Sequence, residues 1–377
     1  MRIAQLQPEE VPMPLDPAYQ TVAPDDFPAM LEPARYARRT PHFEEIIART
    51  EEHFWNPEDR DYIDFDQPWP AGEPLLPFSF IVESHTAVWD RLDEGQRVAF
   101  ANETARWLAS NLLHGEQGAL SLSANLCDIF LDPGAQEYAA NQVREEARHV
   151  HGFTRYIAAR FAGATFPVGD TIGNLLQELV ASPVVYKKIV GMQMLVEGLA
   201  MGAFTTLHKV ACDPLLRRLC QLVMTDEAFH HKFGKIWAHA TVPGLSAAEH
   251  AAVEDWALEC FNLLLFNLVN AEQKRLLYPR FGLDWQWVRG AVLEAFTDAD
   301  RRAQLRQSTN VFRTLIKTLV AADIITERTR PHYAAWVDME ELSAEKDRIV
   351  GEDVAEEGIC GLREINAGKR KIVRRIG

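Results

Sequence analysis

The sequence has few cysteines and none of the motifs that depend on them. Its five cysteines are scattered through 377 residues without a Cys-x-x-Cys pair. This argues against a disulfide framework and weakens the case for a zinc–thiolate or iron–sulfur site, so we expect a reducing compartment. A glycine-rich phosphate loop and a repeated β-strand alternation are missing as well, which leaves helical periodicity as the pattern that determines the fold class.

Positive charge and long apolar runs are also scarce. The chain has 39 Lys and Arg residues against 54 Asp and Glu, a formal net charge of −15, which argues against nucleic acid as the main partner. The most apolar run, residues 263–269, is far too short to span a membrane. Residues 1–10 lack the basic-then-apolar pattern of a secretory signal. We therefore expect a soluble, cytoplasmic protein that binds neither nucleic acid nor a membrane.

Proline is concentrated near the start of the chain. Residues 1–41 contain eight prolines, which favours an extended arm because proline fixes φ and removes a backbone donor. We divide the chain into a Pro-rich N-terminal arm with a short helix at about 42–54 (1–90), a helical domain (91–330) and a peripheral C-terminal segment (331–377). We expect the basic end of that segment to be a solvated, partly disordered tail.

Helical periodicity dominates the middle of the chain. Asp132-Pro133 and Asp213-Pro214 are typical helix starts, with aspartate as the N-cap and proline in the first helical position. The resulting all-α chain has one main domain. We expect helices over about 93–130, 133–162, 169–182, 183–210, 214–242, 245–278 and 284–330.

One motif occurs twice in this helical region. Residues 145–149 and 226–230 both read acid-Glu-x-x-His, and a further Glu lies thirty residues before each motif Glu. On a helix, Glu and the His three positions later share one face and can bind one metal ion. Thirty residues suit one helix, a short turn and a return to the same depth. The six residues are Glu116, Glu146, His149, Glu197, Glu227 and His230.

The repetition decides how this motif is interpreted. A single Glu-x-x-His is more often a surface pair than a metal site. A solvated helix face, however, has no reason to repeat the motif at equal spacing with a matched upstream Glu. In dimetal four-helix bundles, two helices supply one Glu each and two supply Glu-x-x-His. We therefore predict a dimetal site held by all six residues, whose four carboxylates would balance two divalent ions.

Two further groups of residues are assigned around this site. Glu145 and Asp226 each precede a motif histidine by four positions, and we expect each to accept the ring N–H of the histidine from the opposite half; the alternative is a surface acid. Six residues within two turns of Glu116 or Glu197 are candidates to line a substrate pocket, although ordinary core is an alternative for each. They are Leu112, Ala119, Ser123, Met194, Gly198 and Met201.

With these six ligand candidates, the chain resembles the ferritin-like diiron-carboxylate superfamily over roughly residues 95–240. The resemblance implies a ferritin-like four-helix bundle with a dimetal centre, extended here by additional flanking helices. Its cofactors would be two iron ions, or a manganese–iron pair, with O2 as co-substrate. It also implies an external electron donor, a reductase or a ferredoxin, and a homodimer. In length, the chain is most similar to ribonucleotide-reductase small subunits, acyl-carrier-protein desaturases and diiron N-oxygenases.

The subfamily motifs do not match. Phe153 stands where the reductase subunit usually has its radical tyrosine, and the nearest tyrosine is Tyr156. Ala200 and Met201 stand where desaturases and multicomponent monooxygenases tend to have a threonine. Val223 stands where diiron arylamine N-oxygenases carry an additional histidine. The resemblance therefore extends to the superfamily and to no single member.

The function that follows from the resemblance is O2-dependent oxidation of a small or medium organic substrate. Hydroxylation, N-oxygenation and desaturation all remain open, and the resemblance implies a bridged peroxo–diiron intermediate. One alternative is a radical-generating subunit like that of ribonucleotide reductase. The other is a non-catalytic iron-handling bundle, which the chain length disfavours because storage bundles need little beyond four helices.

Overall fold

The computed structural model describes residues 18–267, 270–306, 310–345 and 351–376. Within these ranges all regular secondary structure is helical, apart from an isolated antiparallel bridge between Thr21 and Phe130. The predicted all-α class is confirmed. The α-helices are α1 (Phe27–Met30), α2 (Glu44–Arg49), α3 (Glu94–Ile129), α4 (Pro133–Phe161), α5 (Asp170–Ala181), α6 (Val185–Lys188), α7 (Glu197–Val210), α8 (Pro214–Thr241), α9 (Ala247–Asn267), α10 (Trp285–Ala295), α11 (Asp298–Leu305), α12 (Val311–Ala321), α13 (Arg330–Ala334), α14 (Met339–Ala344) and α15 (Glu352–Ile376).

A π-helical stretch and several short 3-10 helices lie between these α-helices. A π-helical stretch, Ile189–Val196, joins α6 to α7. Short 3-10 helices cover Pro33–Arg38, Pro41–Phe43, Phe78–Phe80, Val82–His85, Trp89–Arg91, Val242–Gly244, Ala271–Lys274 and Tyr278–Phe281.

The long helices begin at side-chain caps that the sequence encodes. Asp93 accepts the backbone N–H of Gln96, and the Gln96 side chain returns to the Asp93 backbone, which forms a capping box for α3. Asp132 and Asp213 each accept a backbone N–H in the first turn of α4 and α8, where proline takes the first position. These caps set the depth at which each helix presents its site residues.

The helix that carries Glu197 has an unusual segment just before it. The π-helical stretch Ile189–Val196 is buried along almost its whole length and ends directly at Glu197. Single π turns inside helices frequently occur at functional sites. Judged by length and composition alone, Val185–Val210 could cross a membrane, but 72% of its most apolar window is buried inside the protein. One such helix is weak evidence for a span, because a buried core helix passes the same test.

Some predicted helix lengths are wrong. The helix expected over about 42–54 is reduced to α2. The helix expected over about 245–278 stops as α9 and gives way to 3-10 turns, and the long helix expected over about 284–330 is three separate helices. The 284–330 region is divided because Thr297 and Asn310 each accept backbone N–H groups and start a new helix.

Two apolar cores contact different parts of α4 and α8, the two helices that carry the Glu-x-x-His motifs. In α4, Ala139 belongs to the first core and Phe153 to the second. In α8 the order is reversed, with Leu219 in the second core and Phe233 in the first. The charged candidate residues lie between these two cores in both helices. The site is therefore enclosed by apolar packing at either end.

The C-terminal helix packs on α8. A Cβ placed on Gly358 would lie 2.7 Å from Thr225 Cγ2, which shows how closely α15 approaches the site helix. Lys369 forms ion pairs with Asp59 and Asp61. The backbone of the expected basic tail forms the end of α15, but its side chains from residue 370 onward, and residues 1–17 of the expected arm, lie outside the described residues. The division into three domains stays a prediction.

Candidate metal centre

The structure brings the six predicted ligand residues together in two overlapping groups. Each group offers carboxylate oxygens and one ring nitrogen that all lie within 4.8 Å of one another. None of the six residues is more than 4% exposed. Glu146 and Glu227 belong to both groups and therefore connect them. The first group is Glu116, Glu146, His149 and Glu227, and the second is Glu146, Glu197, Glu227 and His230.

Both histidines present the same ring nitrogen to the carboxylates. Nδ1 of His149 lies 3.1 Å from Glu116 Oε2, 3.3 Å from Glu146 Oε2 and 3.2 Å from Glu227 Oε1. Nδ1 of His230 lies 3.0 Å from Glu146 Oε1 and 3.4 Å from Glu227 Oε2. The two rings therefore point into the same carboxylate cluster, one from α4 and one from α8.

The other ring nitrogen of each histidine meets an acid from the opposite motif. His149 Nε2 lies 2.8 Å from Asp226 Oδ2, and His230 Nε2 lies 2.9 Å from Glu145 Oε2. A carboxylate accepts, so Nε2 carries the hydrogen and donates it. Nδ1, which faces the cluster, is then the nitrogen that a metal ion would take, and the acid on Nε2 fixes the tautomer that a metal ligand needs.

Asp226 and Glu145, the two outer acids of the cluster, contact three further residues that the sequence analysis does not identify. Arg148 Nη2 donates to Asp226 Oδ2 at 2.7 Å, and Trp55 Nε1 donates to the same oxygen at 2.9 Å. His53 Nε2 lies 3.1 Å from Glu145 Oε1. Arg148 stands inside the first motif and could have been noticed there. Trp55 and His53 come from the loop after α2, where no motif or periodicity marks them.

Two buried glutamines also reach the cluster. Gln142 lies one turn before Glu146 in α4, and its Nε2 donates to Glu146 Oε1 at 3.1 Å. The same amide nitrogen lies 3.1 Å from Gln193 Oε1 and 3.4 Å from Glu197 Oε1. Gln142 therefore links a shared glutamate to the π-helical stretch and to Glu197.

Burial and neighbouring charges shift the pKa values of the cluster residues in different directions. Burial raises the pKa of Glu116 and of Glu197 well above the ordinary value, and Glu227 and Glu146 raise that of Glu197 further. Burial would also raise the pKa of Glu146, but His230 and His149 lower it below the ordinary value. For His230, burial opposes the charged form, yet the facing glutamates raise its pKa well above the ordinary value. Without a cation, the cluster has to share protons.

Several polar atoms of the cluster are buried without a hydrogen-bond partner in the described part of the chain, as expected for groups that could hold metal ions. Among the described residues, both carboxylate oxygens of Glu227, Oε2 of Glu146 and Nδ1 of His230 are buried without a hydrogen-bond partner. Buried polar atoms normally have partners, since leaving them unpaired costs about 1–3 kcal/mol each. Mixed carboxylate and imidazole ligands suit iron and manganese. These buried groups could hold metal ions, and their arrangement is compatible with a ferritin-like dimetal site.

The residues suggested for a substrate pocket are distributed over both apolar cores. Ala119 and Met194 belong to the first core, Met201 belongs to the second, and Leu112 packs against the second. Ser123 is fully buried in α3. Gly198 faces α12 instead, because a Cβ there would lie 2.6 Å from Leu315 Cδ2. A substrate pocket at these positions stays a prediction.

Other candidate side chains lie outside the cluster. His114 Nε2 lies 2.8 Å from the Phe166 carbonyl oxygen, and His151 Nε2 lies 2.8 Å from Glu58 on the surface. Phe153 is fully buried and stacks on Phe204 with ring centroids 5.9 Å apart. These contacts are structural, and they leave the six-residue cluster as the candidate centre.

Family models and curated proteins were compared with the chain. No family model matches this chain, and no curated protein matches it. The functional inference therefore depends on the cluster and on its geometry.

Proposed function

We propose that the protein is a ferritin-like dimetal-carboxylate enzyme that uses O2 to oxidise a small or medium organic molecule. Helices α3, α4, α7 and α8 would form the four-helix bundle. The observation that carries the proposal is the sharing of Glu146 and Glu227 between two carboxylate–histidine groups. Two groups that share two glutamates suit two neighbouring ions better than one ion or none.

Each part of the cluster has a separate role in this proposal. Glu116 and His149 would complete one ion's ligands, and Glu197 and His230 would complete the other's. Four carboxylates balance the charge of two divalent cations, which removes the cost of burying them together. Asp226 and Glu145 hold the histidine rings in the required tautomer. When bound, two iron ions would supply the capacity to reduce O2.

The surroundings of the cluster favour an oxidation that excludes bulk water. The site lies between two apolar cores, so an organic substrate would displace little water. Insertion of one oxygen atom consumes a substrate C–H or N–H bond, one O2, two electrons and two protons, and it yields the hydroxylated product and water. We propose that a reductase or ferredoxin supplies the electrons in the cytoplasm, and that the enzyme is a homodimer.

Metal content and reactivity with O2 test this function. Metal-free protein is loaded with ferrous iron under argon and then mixed with O2, and the optical spectrum is followed. We expect two irons per chain and a transient visible band, followed by product formation in a substrate screen. Glu146→Ala should lose the stoichiometric iron. Glu137→Ala, on the exposed face of the same helix, should keep it.

Other outcomes point elsewhere. Unchanged iron binding in Glu146→Ala would mean that the repeated motif is structural. A stable organic radical after exposure to O2 would indicate the radical-generating alternative. Iron loading far above two per chain would indicate an iron-handling protein. A competent two-iron site without product in any substrate screen would count against an oxygenase.

A further inference from the structure

His53 occupies a buried position between the two outer acids of the candidate centre. It lies in the loop after α2 and is 1% exposed. Its ring stacks on Phe229, with centroids 4.6 Å apart and planes 13° from parallel. Its Nε2 lies 3.1 Å from Glu145 Oε1 and 3.4 Å from Asp226 Oδ1. One ring nitrogen thus faces a carboxylate from α4 and a carboxylate from α8.

These contacts join the two halves of the centre. Asp226 holds His149 through one oxygen and faces His53 with the other. Glu145 holds His230 through one oxygen and faces His53 with the other. The order of contacts is His149, Asp226, His53, Glu145 and His230. Glu145 Oε1 accepts the hydrogen bond, so Nε2 of His53 carries the hydrogen. Asp226 Oδ1 lies within ion-pair distance of the same nitrogen and has no other hydrogen-bond partner among the described residues.

Asp226 with His149, and Glu145 with His230, form two acid–histidine pairs. We propose that His53 is a positioning residue that couples these two pairs, so that both motif histidines are oriented together. The proposal rests on the proposed function, since the two rings are taken as ligands. Residues that orient metal ligands through hydrogen bonds typically change metal affinity by 10–100-fold when they are replaced. His53 would act on both ions at once, although it belongs to neither ligand group.

The same three side chains could in principle hold a third cation, since their ligand atoms also lie within 4.8 Å of one another. The surroundings oppose that alternative. Asp226 already receives hydrogen bonds from Arg148 and Trp55, and the guanidinium would repel a cation. Glu145 receives the Nε2 hydrogen of His230. A hydrogen-bonded link therefore fits the contacts better than a metal ion.

Two variants separate the hydrogen bond from the ring packing. His53→Phe keeps a ring against Phe229 but removes the N–H. His53→Gln gives up the ring but offers an amide with two N–H donors for the two carboxylates. If His53 only fills space, His53→Phe should be the milder change. If it couples the two pairs, His53→Gln should be milder.

The first readout needs no metal. In metal-free protein with 15N-labelled histidine, we expect His53, His149 and His230 each to carry a hydrogen on Nε2. His53→Phe should shift the ring N–H signals of both His149 and His230 and speed their exchange with solvent, whereas His53→Gln should leave them close to wild type. Unchanged signals in a folded His53→Phe would overturn the proposal. So would an Nδ1–H tautomer of His53 in the wild type, which requires no variant.

The second readout is titration with Co2+ alone, followed by its visible spectrum. Wild type should bind two ions per chain, His53→Phe should bind both 10–100-fold more weakly, and His53→Gln should recover most of the affinity. A third Co2+ that His53→Phe loses would overturn the proposal, because His53 would then be a ligand. A wild type that binds no Co2+ but shows the coupled ring signals would refute the proposed function and leave the hydrogen-bonded link standing.

Discussion

His149 from one Glu-x-x-His helix is held by Asp226 from the other, across 2.8 Å between Nε2 and Oδ2. The reciprocal contact joins His230 to Glu145. Each histidine's orientation therefore depends on the opposite helix, and the two halves of the centre cannot be assembled independently. This dependence leads to the first prediction.

Asp226→Asn should weaken metal binding without removing a ligand. The amide accepts a hydrogen bond less strongly than a carboxylate, and its NH2 group cannot accept from His149, so the ring loses its fixed tautomer. We expect a loss of about 10–100-fold in affinity, measured by competition with a chelator. Trp55→Phe removes one donor to the same oxygen but leaves the charge in place, so it should cost less. Equal affinities in wild type and Asp226→Asn would contradict the role of this acid in orienting His149.

Glu197→Gln should stabilise the metal-free protein and weaken its metal binding. Glu197 is 3% exposed, and burial with Glu227 and Glu146 nearby raises its pKa well above the ordinary value. Holding this carboxyl group in the site at neutral pH therefore costs folding free energy in the metal-free protein. Replacing it by the neutral amide should stabilise the metal-free form by about 1 kcal/mol in denaturant unfolding. The variant should also gain less stability than wild type when metal is added, because its affinity is lower.

The exposed Glu137→Gln on α4 is the control for this experiment, and neither of its two stabilities should change. A metal-free Glu197→Gln that unfolds more easily than wild type would mean that the cluster is stabilised by its charges even without metal.

The spacing of the motifs was informative because ligands on helices recur with the helical period. Glu116, Glu146 and Glu197 could be found in this way, since each lies on a face that the periodicity marks. His53 and Trp55 could not, because they come from a loop whose path depends on contacts with α4 and α8. They lie close to Asp226 only because of tertiary contacts, which no local sequence pattern predicts.

The fold, too, has features that local sequence signals predict and features that they do not. Cap residues before α3, α4 and α8 are local signals, and the predicted starts of these helices agree with the structure. The π-helical stretch has no such local signal, because Ile189–Val196 is apolar on nearly every side and lacks periodic contrast. Helical periodicity predicts long helices over 284–330, whereas Thr297 and Asn310 cap new helices inside this range. The substrate, electron donor and oligomeric state stay predictions.

Gly234 should be intolerant of any side chain. It lies in α8 against the π-helical stretch, where a Cβ would come within 2.9 Å of Gln193 Cβ and 3.1 Å of the Gln193 backbone carbon. Gly234→Ala should therefore lower the free energy of unfolding by about 1–3 kcal/mol through overpacking. It should also disturb metal binding, since Glu197 follows this stretch directly.

Gly290→Ala in α10 is the matched control, because among the described residues nothing beyond the adjoining backbone of α10 and the two neighbouring residues lies within 4 Å of a Cβ there. That variant should be stabilised by roughly 0.5–1 kcal/mol, as expected for alanine in a helix. If both variants were stabilised equally, α8 would not approach the π-helical stretch as closely as the structure shows.

Glu254 should make a measurable, pH-dependent contribution to stability away from the metal site. This side chain of α9 is 2% exposed. It accepts hydrogen bonds from Thr326 at 2.7 Å, from Thr329 at 2.5 Å and from Arg328 at 3.0 Å. Burial alone would raise its pKa, but the hydroxyl and backbone donors of Thr329 and Thr326 lower the pKa to about 2 from 4.5. The carboxylate thereby fastens the segment after α12 onto α9.

The sign of the pH effect follows from that lowered pKa. A carboxyl group with a lower pKa in the folded state stabilises the fold above its unfolded pKa, and the contribution is lost as the pH falls toward the folded value. The contribution of Glu254 should be about 3 kcal/mol at pH 7 and less than half of that by pH 3. Glu254→Gln does not titrate, so the difference in unfolding free energy between wild type and variant should shrink over this range. Asp255→Asn, at an exposed neighbouring position, should give a small difference throughout. If the difference between wild type and Glu254→Gln stayed constant from pH 7 to pH 3, the hydrogen bonds to Glu254 would not favour its charged form.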